Sequence, residues 1–86
     1  MGSFIVELYV ARGEERGLAR AVELTRAAAE RLTFEGTQVR HLRSLFVPED
    51  ETCFLVFEAD DAEAAQEAAR AAGLPFERAA TPVAEL

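Results

Sequence analysis

The hydrophobic pattern of the chain contains four short segments typical of β-strands. Residues 4–10, 39–47 and 52–59 are rich in β-branched and aromatic side chains, as strands usually are. Residues 76–83 form a fourth segment, and Pro82 places it at a sheet edge because proline has no N–H for a ladder hydrogen bond. The pattern therefore predicts a four-stranded sheet.

Two alanine-rich segments carry the hydrophobic spacing of helices. In residues 14–32, apolar side chains recur every three or four positions and form one stripe. In residues 61–72 the stripe consists of alanines alone, which predicts a helix lying close to the sheet. Asp60 and Glu63 resemble a capping box before this second helix, and Gly73 suits its left-handed end.

The resulting order, βαββαβ, is the ferredoxin-like plan of two split βαβ halves. It predicts an α+β fold and a single domain over residues 1–86, with a four-stranded antiparallel sheet in the order 4-1-3-2. Right-handed crossovers place both helices on the same face of that sheet. The residues expected on this helix-packed face are Phe4, Val6, Leu8, Val10, Leu42, Phe46, Cys53, Leu55, Phe57 and Ala59.

The opposite, open face is predicted to be both apolar and charged. Its apolar members include Ile5, Leu45, Phe54 and Val56, and large apolar patches of this kind usually mark contacts. A chain of 86 residues also buries a modest core by itself. These two observations predict a homodimer in which two sheets pack face to face as a dimeric α+β barrel.

Strand alternation places five polar side chains on this open face. They are Glu7, Tyr9, His41, Arg43 and Glu58. In a dimer they would line a partly polar cavity, where a glutamate polarises His41 and Arg43 holds a carboxylate or an enolate. The alternative is a structural network of ion pairs at the dimer interface, since buried charges are normally paired.

Composition and charge narrow the range of partners and locations. The net charge of −7 argues against binding to nucleic acid or to anionic membrane surfaces, and no apolar run is long enough to span a bilayer. One cysteine and no recognisable signal peptide fit a cytoplasmic protein. Abundant alanine together with the absence of lysine suggests a bacterial source with a GC-rich genome.

The sequence contains no nucleophile motif, no phosphate-binding loop and no cluster of metal ligands. No cofactor is therefore predicted. His41 is the only histidine, and a lone imidazole is a poor basis for a nickel or zinc site. Cys53 is expected to be a small buried hydrophobic residue and not a nucleophile.

Three segments resemble a family of small bacterial nickel-binding-protein-like domains. They are Val39-Arg40-His41-Leu42-Arg43-Ser44, Phe57-Glu58-Ala59-Asp60-Asp61-Ala62-Glu63-Ala64 and Arg70-Ala71-Ala72-Gly73-Leu74-Pro75. The resemblance implies a ferredoxin-like fold and a dimeric barrel. Nickel-binding members carry histidines just after the first strand, where this chain has Val10-Ala11-Arg12-Gly13.

Three functions follow from these features. The first is a dimeric module that binds a small ligand or metal ion in a cavity on the open face. The second is an enzyme of the cofactor-free monooxygenase or isomerase kind, with His41 or Glu58 as its base. The third is a structural or partner-binding dimer without a ligand.

Overall fold

The structure is a computed structural model that describes residues 1–84 and 86. Four strands and two helices follow one another in the predicted order, βαββαβ. The strands are β1 (Gly2–Tyr9), β2 (Val39–Val47), β3 (Thr52–Ala59) and β4 (Thr81–Val83). The helices are α1 (Leu18–Phe34) and α2 (Ala62–Arg70).

The sheet has the strand order β2-β3-β1-β4, and every neighbouring pair is antiparallel. This α+β arrangement confirms the predicted ferredoxin-like fold. Pro82 lies opposite Phe4 in the edge strand β4, as its missing N–H requires. The fourth strand is much shorter than the predicted 76–83, because residues 77–80 read Glu-Arg-Ala-Ala and glutamate and alanine are poor strand formers.

The helices differ from the predicted ones mainly at their ends. A single 3₁₀ turn, Glu15–Gly17, precedes α1, so the α-helix begins later than predicted. The N-cap of α2 is Asp61 and not Asp60: its Oδ1 accepts a hydrogen bond from the Ala64 N–H at 2.9 Å. Among the described residues, neither helix combines the length and the apolar character that crossing a membrane requires.

The hydrophobic core lies between the helices and one face of the sheet, which we call the helix-packed face. Its largest fully buried side chains are Phe57, Leu8, Leu55, Val6 and Val10. Three alanines of α2, Ala65, Ala68 and Ala69, are wholly buried in the same cluster, so this helix packs on the sheet through its alanines.

The other side of the sheet, which we call the open face, carries no helix in the described part of the chain. Most of its side chains are half-buried or exposed: Leu45 is 54% exposed and Tyr9 is 41% exposed. The open face includes Ile5, Glu7, Tyr9, Arg40, Arg43, Leu45, Thr52, Phe54, Val56 and Glu58. It therefore combines an apolar centre with charged groups, as the alternation of β1 and β3 predicts.

Candidate functional site

Four of the five predicted site residues lie on the open face. Glu7 and Tyr9 lie two positions apart on β1 and therefore share a face; Glu7 stands opposite Phe54 of β3, and Tyr9 stands opposite Thr52. Arg43 stands opposite Val56 across the β2–β3 pair. Glu58 lies at the other end of β3. These four groups are spread along the sheet and do not form one compact cluster.

Glu7 is held by a partner that the sequence analysis missed. The Nε of Arg78 donates a hydrogen bond to Glu7 Oε2, and only 18% of the Glu7 side chain is exposed. Arg78 reaches this position because the segment after α2 runs beside β1, where the Glu77 N–H donates to the Glu7 carbonyl at 2.8 Å. A contact between residues 71 positions apart has no local sequence signal.

Glu58 is also paired, with a residue outside the predicted set. Arg40 Nη2 lies 3.4 Å from Glu58 Oε1, across the antiparallel β2–β3 pair. Both side chains are substantially exposed, so this ion pair contributes at most about 1 kcal/mol to stability. Arg43, by contrast, forms no ion pair with the carboxylates in the described residues.

The prediction that His41 lies on the open face is wrong. His41 stands opposite Phe57 on the helix-packed face, with the two rings 5.5 Å apart and inclined by 55°. The cause is a β-bulge between His41 and Arg43, where Leu42 has no partner in β3. An extra residue reverses the alternation on one side of the bulge, so residues 39–41 face opposite to the predicted direction.

His41 is 8% exposed and only partly hydrogen-bonded. Its Nε2 lies 2.9 Å from Ser44 Oγ, whereas the buried Nδ1 has no partner. A buried polar atom without a partner costs about 1–3 kcal/mol. Burial lowers the pKa of His41, the positive charge of Arg26 lowers it further, and the nearby backbone of Arg43 opposes both. The two larger effects both favour the neutral imidazole over the imidazolium.

A cleft of about 640 Å³ lies beside His41, between the end of α1 and the start of β2. We call it the α1–β2 cleft. Thr33 of α1 is hydrogen-bonded to Val39 of β2 and so connects the two elements that form the cleft. Its Oγ1 donates to the Val39 carbonyl at 2.7 Å and accepts from the Val39 N–H at 3.2 Å. The residues lining the cleft are Met1, Arg26, Ala29, Glu30, Thr33, Phe34, Gln38, Val39, Arg40, His41 and Glu58.

The described residues contain no cluster of three or more side chains of the kinds that ligate metal ions through imidazole, thiolate or carboxylate groups. Cys53 is fully buried on the helix-packed face, and burial raises the pKa of its thiol. A thiol with a raised pKa is a weaker nucleophile and a weaker metal ligand, because the thiolate is the reactive form.

A comparison with protein-family sequences identifies the relatives of the chain. Residues 8–81 match the family described as "Nickel responsive protein SCO4226-like". The chain belongs to the SCO4226-like family. The match runs from the end of β1 to the start of β4 and includes the bulged strand β2. It confirms the resemblance seen in the three sequence segments.

No curated protein and no solved structure significantly matches the chain. The family description concerns nickel, and this member supplies one histidine, which is turned into the helix-packed face. Whether the predicted polar residues bind a ligand stays a prediction. The geometry separates them into an open-face set (Glu7, Tyr9, Arg43, Glu58) and His41 in the α1–β2 cleft.

Proposed function

We propose that this SCO4226-like protein is a homodimeric binding module whose two open faces pack together around a small ligand. The observation that carries the proposal is the uncovered apolar centre of the open face. Ile5 lies opposite Val56, and Leu45 lies opposite Phe54, so two cross-strand apolar pairs adjoin each other on β3. Burial of such a surface contributes about 25 cal/mol per Å² removed from water.

The polar groups around this centre favour an organic ligand with a negatively charged or enolate-like group. Arg43 offers a guanidinium without an ion-pair partner among the described residues, and Tyr9 offers a phenol that is 41% exposed. The Glu7–Arg78 pair adds two further fixed charges. A few placed polar groups in an apolar wall are typical of small-ligand sites. The alternative, a cofactor-free enzyme with its site on the open face, cannot use His41 as its base, because His41 lies on the helix-packed face.

The substitution Leu45→Asp is expected to dissociate the dimer while the subunit stays folded. Leu45 is 54% exposed in the single chain, so an aspartate there is tolerated until a second sheet covers it. Burying two aspartates, one from each subunit, costs about 2 kcal/mol or more in total, which raises the dimer Kd at least about 30-fold. Sedimentation velocity should give twice the 9.4 kDa chain mass for the wild type and a monomer for the variant.

The matched control is Leu24→Asp, the same change on the surface of α1, where Leu24 is 38% exposed. It should leave the dimer intact. A wild-type protein that is monomeric at 100 μM, or equal dissociation by both variants, would contradict the proposed dimer. Native mass spectrometry of the same samples tests the ligand: a retained small molecule that Arg43→Gln removes, with the dimer preserved, supports the binding module.

Nickel binding is the second candidate, and the family description is the reason to consider it. We expect only weak binding, because the described residues hold no cluster of metal ligands and His41 is turned away from the open face. Calorimetry on tag-free protein should give a nickel Kd above about 10 μM that His41→Ala leaves unchanged. A submicromolar Kd for nickel that is lost in His41→Ala would overturn this expectation and would support nickel as the ligand.

A further inference from the structure

The α1–β2 cleft lies at the end of the sheet where α1 meets β2, and none of the apolar residues at the centre of the proposed dimer contact lines it. One wall belongs to the last turns of α1 and the other to the start of β2, up to the bulge. Its volume of about 640 Å³ falls in the range of small-molecule sites, about 300–1,000 Å³. Glu58 and its partner Arg40 belong both to the lining of the cleft and to the open face.

His41 gives this cleft an unsatisfied polar group. The ring forms part of the wall and is more than nine-tenths buried, yet its Nδ1 has no hydrogen-bond partner. When the Ser44 hydroxyl donates to Nε2, the neutral imidazole carries its proton on Nδ1. In that tautomer the wall of the cleft holds a buried N–H donor that lacks an acceptor, and buried donors normally have one.

Arg26, on the α1 wall, adds a positive charge to the cleft. It forms no ion pair with any carboxylate among the described residues, and its charge acts on the imidazole of His41. The other charged groups of the cleft are Glu30 and the mutually paired Arg40 and Glu58. Arg26 and Glu30 lie one turn apart on α1 without forming an ion pair, so the Arg26 guanidinium is free for an external anion.

The rim of the cleft is apolar and unusually exposed. Phe34 is 93% exposed at the end of α1, and Met1 is 67% exposed beside β1. Ala29 and Val39 supply apolar surface between them. An aromatic ring left almost entirely in water beside a cleft offers a stacking surface for the apolar part of a ligand.

We propose that the α1–β2 cleft binds a small carboxylate with an aromatic or aliphatic body. The carboxylate lies beside the Arg26 guanidinium and the His41 imidazole, and the apolar body packs against Phe34. The guanidinium provides a charge-assisted hydrogen bond to the anionic oxygens, and the His41 ring forms the wall beside them. The apolar residues at the centre of the proposed dimer contact, Ile5, Leu45, Phe54 and Val56, do not line this cleft, so the two proposals can be tested separately.

The test is an NMR titration with three ligands of similar shape: phenylacetate, neutral 2-phenylethanol and cationic 2-phenylethylamine. His41 is the only histidine, so its two ¹⁵N imidazole signals report on the cleft without ambiguity. Phenylacetate should bind with a millimolar Kd and shift the His41 Nδ1 signal together with the amides of residues 26–34. The alcohol and the amine should bind at least tenfold more weakly.

Two variants and one control locate the interaction. Arg26→Gln should weaken phenylacetate binding about tenfold or more, since a hydrogen bond between charged groups is lost. Phe34→Ala should weaken it several-fold through the lost apolar contact. Arg20→Gln removes an arginine from the same helix outside the cleft and should leave the Kd unchanged. Any of four results would overturn the proposal. The first two are no phenylacetate binding below 20 mM and equal affinity for 2-phenylethanol. The other two are equal weakening of phenylacetate binding by Arg26→Gln and Arg20→Gln, and NMR shifts that are confined to residues of the open face.

Discussion

The substitution Phe57→Ala is expected to lower the free energy of unfolding by about 3–5 kcal/mol, the usual cost of removing a fully buried phenylalanine. Phe57 is the largest fully buried side chain, and it lies on the inner strand β3 between Phe4 of β1 and His41 of β2. Proteins of this size are stable by only about 5–15 kcal/mol, so the variant should lose a large part of its stability. Urea unfolding followed by circular dichroism measures the change.

Phe34→Ala is the matched control, because the same side chain is deleted at a position that is 93% exposed. Its effect should stay within about 0.5 kcal/mol, as surface substitutions usually do. Both variants are compared with the wild type at one protein concentration, since a dimer couples stability to concentration. Equal effects of the two substitutions would show that the core is not where the structure places it.

The substitution Ala65→Leu is expected to destabilise the protein by about 1–3 kcal/mol through overpacking. Ala65 is wholly buried in the cluster formed by α2 and the helix-packed face. The alanines of α2 allow the helix backbone to lie close to the sheet, so added atoms have no free space. Thermal unfolding should show a lower Tm by about 4–8 °C for each kcal/mol lost.

Ala27→Leu makes the same change on the exposed side of α1. Alanine and leucine are both good helix formers, so helix propensity changes little between them. The control variant should unfold within about 2 °C of the wild type. A Tm for Ala65→Leu that equals or exceeds that of Ala27→Leu would mean that α2 sits further from the sheet than its buried alanines indicate.

Strand alternation was sufficient to assign the faces of β1 and β3 from sequence. Phe4, Val6 and Leu8 alternate with Ile5 and Glu7, and the structure keeps that alternation unbroken along the whole β1–β3 pair. The alanine stripe of α2 likewise indicated a helix packed closely on the sheet. These predictions succeeded because side-chain direction in a regular strand or helix is fixed by local backbone geometry.

The same rule failed in β2, and the candidate site changed with it. The bulge at Leu42 turns His41 away from Arg43, which stays on the open face. Nothing in Val-Arg-His-Leu-Arg-Ser-Leu-Phe-Val marks the position of an extra residue. Its place depends on the pairing between β2 and β3, in which His41 lies opposite Phe57 and Arg43 opposite Val56.

The sequence by itself determined the order of elements, the sheet topology, the edge position of Pro82 and the core residues of β1 and β3, because these depend on local periodicity and on the chirality of crossovers. Only the tertiary structure decided which polar groups meet. It paired Glu7 with Arg78 and Glu58 with Arg40, and it placed His41 beside the α1–β2 cleft. Such contacts join residues far apart in the chain, so they depend on strand register and segment docking, which hydrophobic spacing does not encode.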